Sequence, residues 1–443
     1  MIARLHIPLL LLLCTFGAVQ AQPAAASPPP SRPDDSLVLA DIRALTSSEM
    51  AGRGYLRDGH VNAAVYIVKE WARLGFDTLA IGYAQPFPLR VNLFPVEPAL
   101  AVDGTGLFPG LDFIPDAGCG TGLGRDAGIL NVGSGLVAQP IGADAYAGRS
   151  VRGMIVVMDE NVPDSVNAAL KQAGADPRSA GLPARIRTAA DRGAACVVVL
   201  VDRLVMDVSD TSYGIPVFEA RRTAWHADAR SASFSARDSV GDVIAANVMA
   251  MQRGTVHPDS LIILCAHYDH LGALGNDLYF PGANDNASGV AMMLSIARYL
   301  KEHPLRYSVL YVAFSGEEAG LVGSRYFAGN PPVDLSRVRF LLNMDMTASG
   351  ADGITAVGGV EFVPEFAMLA HVADSLGVHD VRRRENAPNS DHYPLVRAGV
   401  RGFYVYPFTG LQPYHHINDR PATLEWNVFN RLRSIFIGFL TRL

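Results

Sequence analysis

The second half of the chain alternates apolar segments of strand length with amphipathic segments of helix length. The apolar segments are 261–266, 307–314, 340–344 and 402–406, and helical segments such as 288–300 and 364–376 separate them. This alternation predicts an α/β fold with a mostly parallel central sheet and helices on both faces. In such sheets, binding sites lie just beyond the carboxyl ends of the strands. The residues that follow the apolar segments are therefore the first candidates for function.

Length, charge and cysteine content limit the classes of protein to which the chain can belong. Its 443 residues exceed what one hydrophobic core usually holds, which predicts two domains. The net charge is −6 and the sequence has no long basic block, so nucleic acid is not expected as the main partner. Cys119, Cys196 and Cys265 are too few for a disulfide scaffold, and they allow one bridge but require none.

The amino-terminal residues 1–21 have the pattern of a signal peptide, with an apolar run over 7–19 and a small-residue cleavage motif that ends at Ala21. Residues 22–35 then form a linker rich in Pro, Ala and Ser. A membrane anchor is the alternative, but the apolar run is short for a bilayer span. A lipoprotein is less favoured, because Cys14 lacks small residues before it. The pattern predicts an exported protein, periplasmic or extracellular, without stable membrane insertion.

The rest of the chain divides into three segments that differ in composition and in the spacing of apolar residues. Residues 36–98 contain an amphipathic helix over 61–74 and read as the first part of an enzyme domain. Residues 99–242 are rich in glycine and in short β-like runs, which predicts a β-rich insert. The alternating pattern of the catalytic domain then occupies residues 243–443.

Two adjacent acids, Glu317 and Glu318, follow the apolar segment 307–314. Neighbouring side chains on such a backbone point in different directions, so one carboxylate can hold a metal while the other reaches a water molecule. Most Glu-Glu pairs lie on solvated helix faces, however, and the pair alone does not indicate catalysis. Its meaning depends on the motifs around it.

Other polar residues follow the neighbouring apolar segments. His267 comes directly after 261–266, with Asp269 two residues later, and Asp345 follows 340–344. An imidazole at a strand end can ligate a metal, and a nearby carboxylate can accept its other N–H group. A single histidine or acid at such a position is more often an ordinary surface residue, so these candidates gain weight only together.

Two further candidates lie in loops. Asp285 precedes the helix 288–300, where it is either a plain N-cap or a carboxylate that bridges two metals. Near the carboxyl terminus, Tyr414 is followed by His415 and His416. Either histidine could ligate a metal on chemical grounds, and Tyr414 could donate a hydrogen bond to a developing oxyanion.

Taken in order, these motifs resemble the zinc aminopeptidases of family M28, whose fold is a phosphorylase/hydrolase-like zinc exopeptidase sandwich. The motifs are His267-Tyr268-Asp269, 282–289 around Asp285, 316–324 around Glu317 and Glu318, Asn343-Met344-Asp345, and Tyr414-His415. The segment 45–54 also resembles members that carry a protease-associated insert. The chain departs from the family in one place, because His416-Ile417 stands where members usually have Thr-Pro.

The resemblance implies two Zn²⁺ ions per chain, five protein ligands and three further active-site residues. The implied ligands are Asp285 as the bridge, His267 and Asp345 on one ion, and Glu318 and His415 on the other. The implied further residues are Glu317 as general base, Asp269 as partner of His267, and Tyr414 as oxyanion donor. Ligands of this kind would also accept Mn²⁺ or Co²⁺.

The insert has a resemblance of its own. A strand over 151–158, a helix over 186–193 and a strand over 195–201 are similar to a pattern of the protease-associated domain. Any small α/β insert is the alternative, because fold-level analogy fixes little about function.

The two resemblances and the predicted signal peptide together imply an exported zinc metallopeptidase, most simply an aminopeptidase that hydrolyses the N-terminal bond of short peptides with a metal-activated water. Two alternatives remain at this point. One is an acyltransferase similar to glutaminyl cyclases, which works with a single zinc. The other is a binding scaffold with a peptidase-like fold and no catalysis. Metal counting and a peptide cleavage assay separate the three.

Overall fold

The computed structural model describes residues 35–79, 81–174, 177–408 and 413–443. The predicted signal peptide and the predicted linker up to residue 34 lie outside these ranges. Within the ranges, no helix is both long enough and apolar enough to cross a lipid bilayer.

Helices and strands follow one another along the described chain, and strands dominate its middle part. The helices are α1 Asp35–Leu45, α2 Gly59–Leu74, α3 Asp164–Gln172, α4 Leu182–Asp191, α5 Gly289–Glu302, α6 Val322–Gly329, α7 Val363–Ser375, α8 His392–Arg397 and α9 Trp426–Leu440. The strands up to residue 236 are β1 Ala84–Leu93, β2 Ala99–Val102, β3 Thr105–Gly106, β4 Phe113–Pro115, β5 Gly122–Asn131, β6 Val137–Ala138, β7 Ala143–Asp144, β8 Ile155–Asp159, β9 Cys196–Val201, β10 Val217–Arg221 and β11 Ser231–Ala236. The later strands are β12 Ser239–Gln252, β13 His257–His267, β14 Ala273–Leu274, β15 Leu278–Tyr279, β16 Tyr307–Phe314, β17 Val338–Met344, β18 Ala351–Val357, β19 Val381–Arg384 and β20 Gly402–Phe408.

The central sheet has eight strands in the order β1-β12-β16-β13-β17-β20-β18-β19. Its inner block, β16, β13, β17 and β20, is parallel and contains the four strands that the apolar segments predict. The prediction of a mostly parallel sheet holds for that block only, because β12 is antiparallel to β1 and β16, and β18 is antiparallel to β20. The sheet is therefore mixed. The chain leaves it through β1 and returns through β12, and the two strands pair side by side.

Helices cover both faces of the central sheet. One face packs against α1, α2, α5, α7 and α9, with Trp71, Leu294 and Phe436 fully buried in the core. The other face packs against α6 and α8 through Phe327 and Leu395. Strands that are buried on both faces are apolar along their whole length, so the inner strands could be predicted from apolar runs in the sequence.

A second eight-stranded sheet lies in the chain between β1 and β12, in the order β3-β2-β11-β5-β8-β9-β10-β4. The predicted strand 151–158, helix 186–193 and strand 195–201 correspond to β8, α4 and β9, and the two strands pair in parallel. The core of this sheet includes Phe280 and Ile417 from the other part of the chain. The predicted limit of the insert at residue 242 lies inside β12.

The three cysteines of the described chain, Cys119, Cys196 and Cys265, are buried free thiols. Burial raises the pKa of Cys119 to about 12. The thiols therefore behave as small apolar side chains of the two cores.

A buried ionic network ties three helices together. Arg298 of α5 places Nη1 2.6 Å from Asp41 Oδ2 of α1, and Nη2 3.0 Å from Glu70 Oε2 of α2. Asp41 and Glu70 are both buried and share this guanidinium as a counter-ion, and Glu70 also pairs with Arg73. Removing one member of such a network leaves uncompensated charge in a medium of low dielectric constant.

We expect Arg298→Met to lower the free energy of unfolding by about 3 kcal/mol, because buried Asp41 loses its ion pair and Glu70 keeps only the exposed Arg73. Urea denaturation followed by circular dichroism measures the change. The control is Arg337→Met, which removes an exposed pair with Asp259 and should cost less than about 1 kcal/mol. Equal losses in the two variants would contradict the role of the network.

Candidate metal centre

The ends of three neighbouring parallel strands bring acids and a histidine to one edge of the central sheet. β13 ends at His267, β17 ends one residue before Asp345, and β16 ends three residues before Glu317. Because β13 lies between β16 and β17 in parallel register, these carboxyl ends meet at the same edge. The fold thus places the residues that the sequence singled out at its usual site for ligands.

His267 lies in a first cluster of donor atoms. Its Nε2 is 3.3 Å from Asp285 Oδ1 and 3.3 Å from Asp345 Oδ1. All three side chains are buried. Burial alone would lower the pKa of His267, but Asp345 and Glu317 raise it well above its usual value. The cluster is therefore strongly electronegative.

His415 lies in a second cluster that shares Asp285 with the first. Its Nε2 is 3.2 Å from Asp285 Oδ2 and 3.0 Å from Glu318 Oε2. The two carboxylate oxygens of Asp285 thus face one imidazole each. Burial would raise the pKa of Glu318, but the charge of His415 and its contacts hold that pKa at about 2.

The donor atoms of the two clusters fit a pair of divalent cations. Imidazole nitrogen and carboxylate oxygen are the ligands that Zn²⁺ takes, and atoms that share one tetrahedral Zn²⁺ lie about 3.3 Å apart. Both ring nitrogens of His415 are buried without a well-formed hydrogen bond among the described residues. A buried imidazole in this state is expected of a metal ligand. Asp285 has the position of a bridging carboxylate.

The backbone around Asp285 is shaped to present its side chain to both histidines. It lies in the turn Ala283–Ser288 that precedes α5, and its backbone angles, φ −110° and ψ 96°, are not helical. Asp419 accepts hydrogen bonds from the backbone amides of Asn284 and Asp285 at 2.9 and 3.0 Å. A side chain at Gly282 would begin 2.2 Å from the carbonyl oxygen of Asp285. Asp285 therefore does not cap α5, which begins at Gly289.

A buried arginine fixes the same turn. Arg53 donates hydrogen bonds to carbonyl oxygens on three separate segments, at distances of 2.6–3.2 Å. The acceptors belong to Leu45, Tyr268, Pro281, Gly282 and Asp285. Burial lowers the pKa of Arg53 to about 10, so the guanidinium keeps its charge at neutral pH. It supplies a positive charge directly behind the acidic clusters.

Residues 247–440 match the family model described as Peptidase family M28. The chain contains an M28 peptidase domain. The domain begins in β12 and includes every strand of the parallel block, together with the loops that carry both clusters.

Curated relatives match the chain over part of their length. Aminopeptidase YwaD of Bacillus subtilis (strain 168) is 31% identical over 151 residues, which is 32% of this chain and 31% of that protein. A probable zinc metalloprotease of Pyrenophora tritici-repentis is 36% identical over 109 residues, 24% of this chain and 23% of that protein. The chain thus spans about a quarter to a third of the length of these two relatives in the matched regions.

Solved structures share the fold over nearly the whole chain. The zinc aminopeptidase BSAP from Bacillus subtilis has a TM-score of 0.66 at 18% identity, covering 91% of this chain and 94% of that protein. An aminopeptidase from Aneurinibacillus sp. strain AM-1 has a TM-score of 0.62 at 18% identity, covering 92% and 93%. At this identity the likeness concerns the fold alone.

The two adjacent acids of the M28 domain have separate surroundings. Glu318 Oε2 faces His415. Glu317 lies near His267, and these two residues form a group of possible metal ligands together with Glu318. Burial, and then the charges of Glu318 and Asp391, raise the pKa of Glu317 well above its usual value. The pair therefore lies at the clusters and not on a solvated helix face.

Asp269 is held in place by hydrogen bonds on both of its oxygens. Tyr55 donates to Oδ2 at 2.9 Å, and the backbone amide of Glu317 donates to Oδ1 at 3.2 Å. Nδ1 of His267 lies 3.2 Å from the carbonyl oxygen of Asp269 and 3.8 Å from its carboxylate. The carbonyl is thus the nearer partner of the imidazole, and the carboxylate mainly orders the Glu317 loop.

Tyr414 and His416 flank the ligand position of His415 differently. The Tyr414 ring stacks on the His415 ring with 3.8 Å between centroids and keeps 40% of its surface exposed. His416 accepts a hydrogen bond from the Asn418 amide instead of joining the carboxylates. Of the two histidines that the sequence left open, His415 is the one that the fold places in the clusters.

His270 is a residue of the centre that the sequence analysis did not single out. It is buried, and its Nδ1 lies 2.7 Å from Glu318 Oε1. It also forms a group of possible ligands with Asp285 and Glu318. The spacing of three residues between His267 and His270 could have indicated a second histidine at the centre. The sequence instead pointed to Asp269 as the partner of His267.

Asp207 is a second unpredicted residue, and it comes from the loop after β9 in the second sheet. Its Oδ1 lies 3.3 Å from His415 Nδ1, and the amide of Met206 donates to the carbonyl oxygen of His415 at 3.1 Å. No sequence pattern pointed to Asp207, because more than 200 residues separate it from its partner. The second sheet therefore contacts a predicted ligand of the M28 domain directly.

We expect Asp207→Asn to weaken Zn²⁺ binding by about tenfold, because carboxylate partners of ligand histidines orient the ring and raise its basicity. Competition with a chromogenic chelator measures the affinity. The matched control is Asp210→Asn, an exposed acid in the same loop, which should leave the affinity unchanged. Equal affinities in wild type and Asp207→Asn would show that the contact does not affect the metal.

Proposed function

We propose that this chain is an exported zinc aminopeptidase that hydrolyses the N-terminal bond of short peptides. The observation that carries the proposal is the shared position of Asp285 between two clusters, with Glu317 beside them. The family M28 match supports peptide bond hydrolysis, and the names of the relatives support zinc and amino-terminal cleavage. The predicted signal peptide supports export to the periplasm or the medium.

The five predicted ligands would hold two Zn²⁺ ions, one in each cluster. His267 and Asp345 would serve one ion, Glu318 and His415 the other, and Asp285 both. Zinc in these positions would supply Lewis acidity, which lowers the pKa of water and polarises the carbonyl of the scissile bond. The remaining chemistry then falls to the side chains around the centre.

Glu317 would act as the general base. Its carboxylate would take a proton from the attacking water and deliver it to the leaving amine. The amide of Glu317 is anchored on Asp269, which fixes the loop that positions this carboxylate. Tyr414, stacked on His415, would donate its hydroxyl proton in a hydrogen bond to the tetrahedral oxyanion.

The second sheet would form one wall of the mouth of the site. Its loop after β9 touches His415 through Asp207 and Met206. This position would give the insert a part in shaping which peptides enter.

Purified protein supplied with Zn²⁺ tests the proposal on matched substrates. We expect release of leucine from leucyl-p-nitroanilide and from Leu-Ala-Ala, no cleavage of the N-acetylated forms, loss of activity with a chelator and recovery with Zn²⁺. Cleavage of the acetylated forms at equal rates would contradict an aminopeptidase. Cyclisation of an N-terminal glutamine without cleavage would favour the cyclase alternative, and absence of both metal and cleavage would favour a scaffold.

We expect Glu317→Gln to lower kcat by about 10²- to 10⁴-fold, because the amide cannot accept the water proton. The variant should keep its zinc, since Glu317 is not a predicted ligand. Glu318→Gln is the matched comparison, and it should lose zinc affinity instead. Metal analysis and steady-state kinetics on both proteins check the division. Loss of zinc from Glu317→Gln to the same extent would contradict the assignment of the base.

A further inference from the structure

A groove of about 320 Å³ lies where the second sheet meets the M28 domain. The second sheet contributes loop residues after β9 and the end of β10, and the M28 domain contributes the segment around His415. Its lining residues are Asp202, Arg203, Leu204, Arg221, Pro413, Tyr414, His416 and Asn418. The proposed mechanism uses only Tyr414 of these residues.

The fold places two arginines at the same edge of the second sheet. β9 and β10 are parallel neighbours, and Val201 pairs with Arg221 at their carboxyl ends. Arg203 follows the end of β9 by two residues, so its side chain leaves the sheet at the same end as that of Arg221. Both residues are exposed. Carboxyl ends of parallel strands are where such sheets bind ligands.

The charge of Arg221 is available to a ligand. The nearby carboxylates Asp159 and Asp202 lie 2.6 and 3.3 Å from nitrogens of Arg222, which binds both. Arg221 itself has no ion pair within the described part of the chain. The guanidinium of Arg221, unpaired among the described residues, with the carboxylate of Asp202 already paired with Arg222, favours an anion in this groove.

His416 adds a neutral donor to this groove. Its Nδ1 accepts a hydrogen bond from the Asn418 amide at 3.1 Å, so the neutral ring carries its proton on Nε2. The groove thus presents an imidazole N–H and an amide side chain beside the guanidinium groups.

The groove is continuous with the metal centre through one side chain. Tyr414 lines the groove and stacks on His415, whose Nε2 faces the shared carboxylate Asp285. A peptide whose scissile bond lies at the clusters can therefore extend its leaving part past Tyr414 into the groove. An aminopeptidase leaves a single residue on the amino-terminal side of the scissile bond, so the part of the substrate that extends into the groove is the leaving part.

We propose that Arg221, assisted by Arg203, binds a carboxylate on the leaving part of the substrate and thereby selects short peptides with an anionic end. The inference rests on the proposed peptidase activity. The carboxylate is either the free carboxyl terminus of a dipeptide or the side chain of an acidic second residue. Guanidinium groups bind both in the same bidentate manner.

The test compares four substrates on the zinc-loaded full chain: Leu-Ala, Leu-Ala amide, Leu-Asp amide and Leu-Asn amide. We expect kcat/KM to be about tenfold higher for the substrate that carries the recognised carboxylate than for its neutral partner. A preference within the first pair identifies the carboxyl terminus, and a preference within the second identifies the acidic side chain. Equal values within both pairs would overturn the proposal.

Variants assign the preference to the groove. Arg221→Gln and Arg203→Gln should each reduce it, and the double variant should abolish it while the neutral amides are cleaved as before. The matched control is Arg237→Gln, which removes an exposed arginine in the turn after β11, outside the groove, and should keep the preference. A preference that survives in the double variant would overturn the assignment.

A binding measurement separates this inference from the proposed function. Titration calorimetry of Leu-Ala and Leu-Ala amide does not depend on turnover. If the wild type cleaves no peptide but binds the carboxylate form more tightly in an Arg221-dependent way, the groove stands and the peptidase proposal fails. If the wild type cleaves peptides and neither assay detects the carboxylate, the peptidase proposal stands and the groove proposal fails.

Discussion

The buried guanidinium of Arg53 is the interaction on which the rest of the site depends. Its N–H groups donate hydrogen bonds to carbonyl oxygens at the end of α1, in the loop after β13 and in the turn that carries Asp285. These three segments are far apart in sequence. Its charge lies among the carboxylates of Asp285, Asp419 and Asp269, each of which attracts the guanidinium. Without this cation the acids would repel one another in a buried setting, and the turn would lose its anchor. Arg53 therefore anchors the turn and offsets part of the negative charge of the clusters.

Sharing one carboxylate gives the two clusters a common geometry but unequal neighbours. His267 is oriented by the carbonyl of Asp269 within the M28 domain, whereas His415 is contacted by Asp207 from the second sheet. The adjacent acids follow the same division, because Glu318 belongs to the side of His415 and Glu317 to the side of His267. The proposed catalysis and the proposed substrate selection would thereby be linked through a single segment, Tyr414 to His416, which contacts both the centre and the groove.

The sequence predicted the parts of the fold whose burial leaves a pattern. The parallel strands are apolar on both faces, and the residues that follow them, such as His267 and Asp345, could be identified as candidates from position alone. The antiparallel strands β1 and β12 were not predicted, because partly exposed strands on either side of a long insert resemble loops. His270 and Asp207 were missed because their roles depend on contacts that only the folded chain creates. Arg53 lies in the segment 45–54, which resembles part of the M28 family. The residues around it in the sequence do not indicate that its charged side chain is buried.

The number of Zn²⁺ ions bound per chain shows whether Asp285 joins two metal sites. Apoprotein is titrated with Zn²⁺ by calorimetry, and the metal content is measured by mass spectrometry after dialysis, for the wild type and for Asp285→Ala. We expect two Zn²⁺ ions per chain in the wild type and loss of tight binding at both sites in the variant. A single ion in the wild type, or two tightly bound ions in the variant, would contradict this expectation.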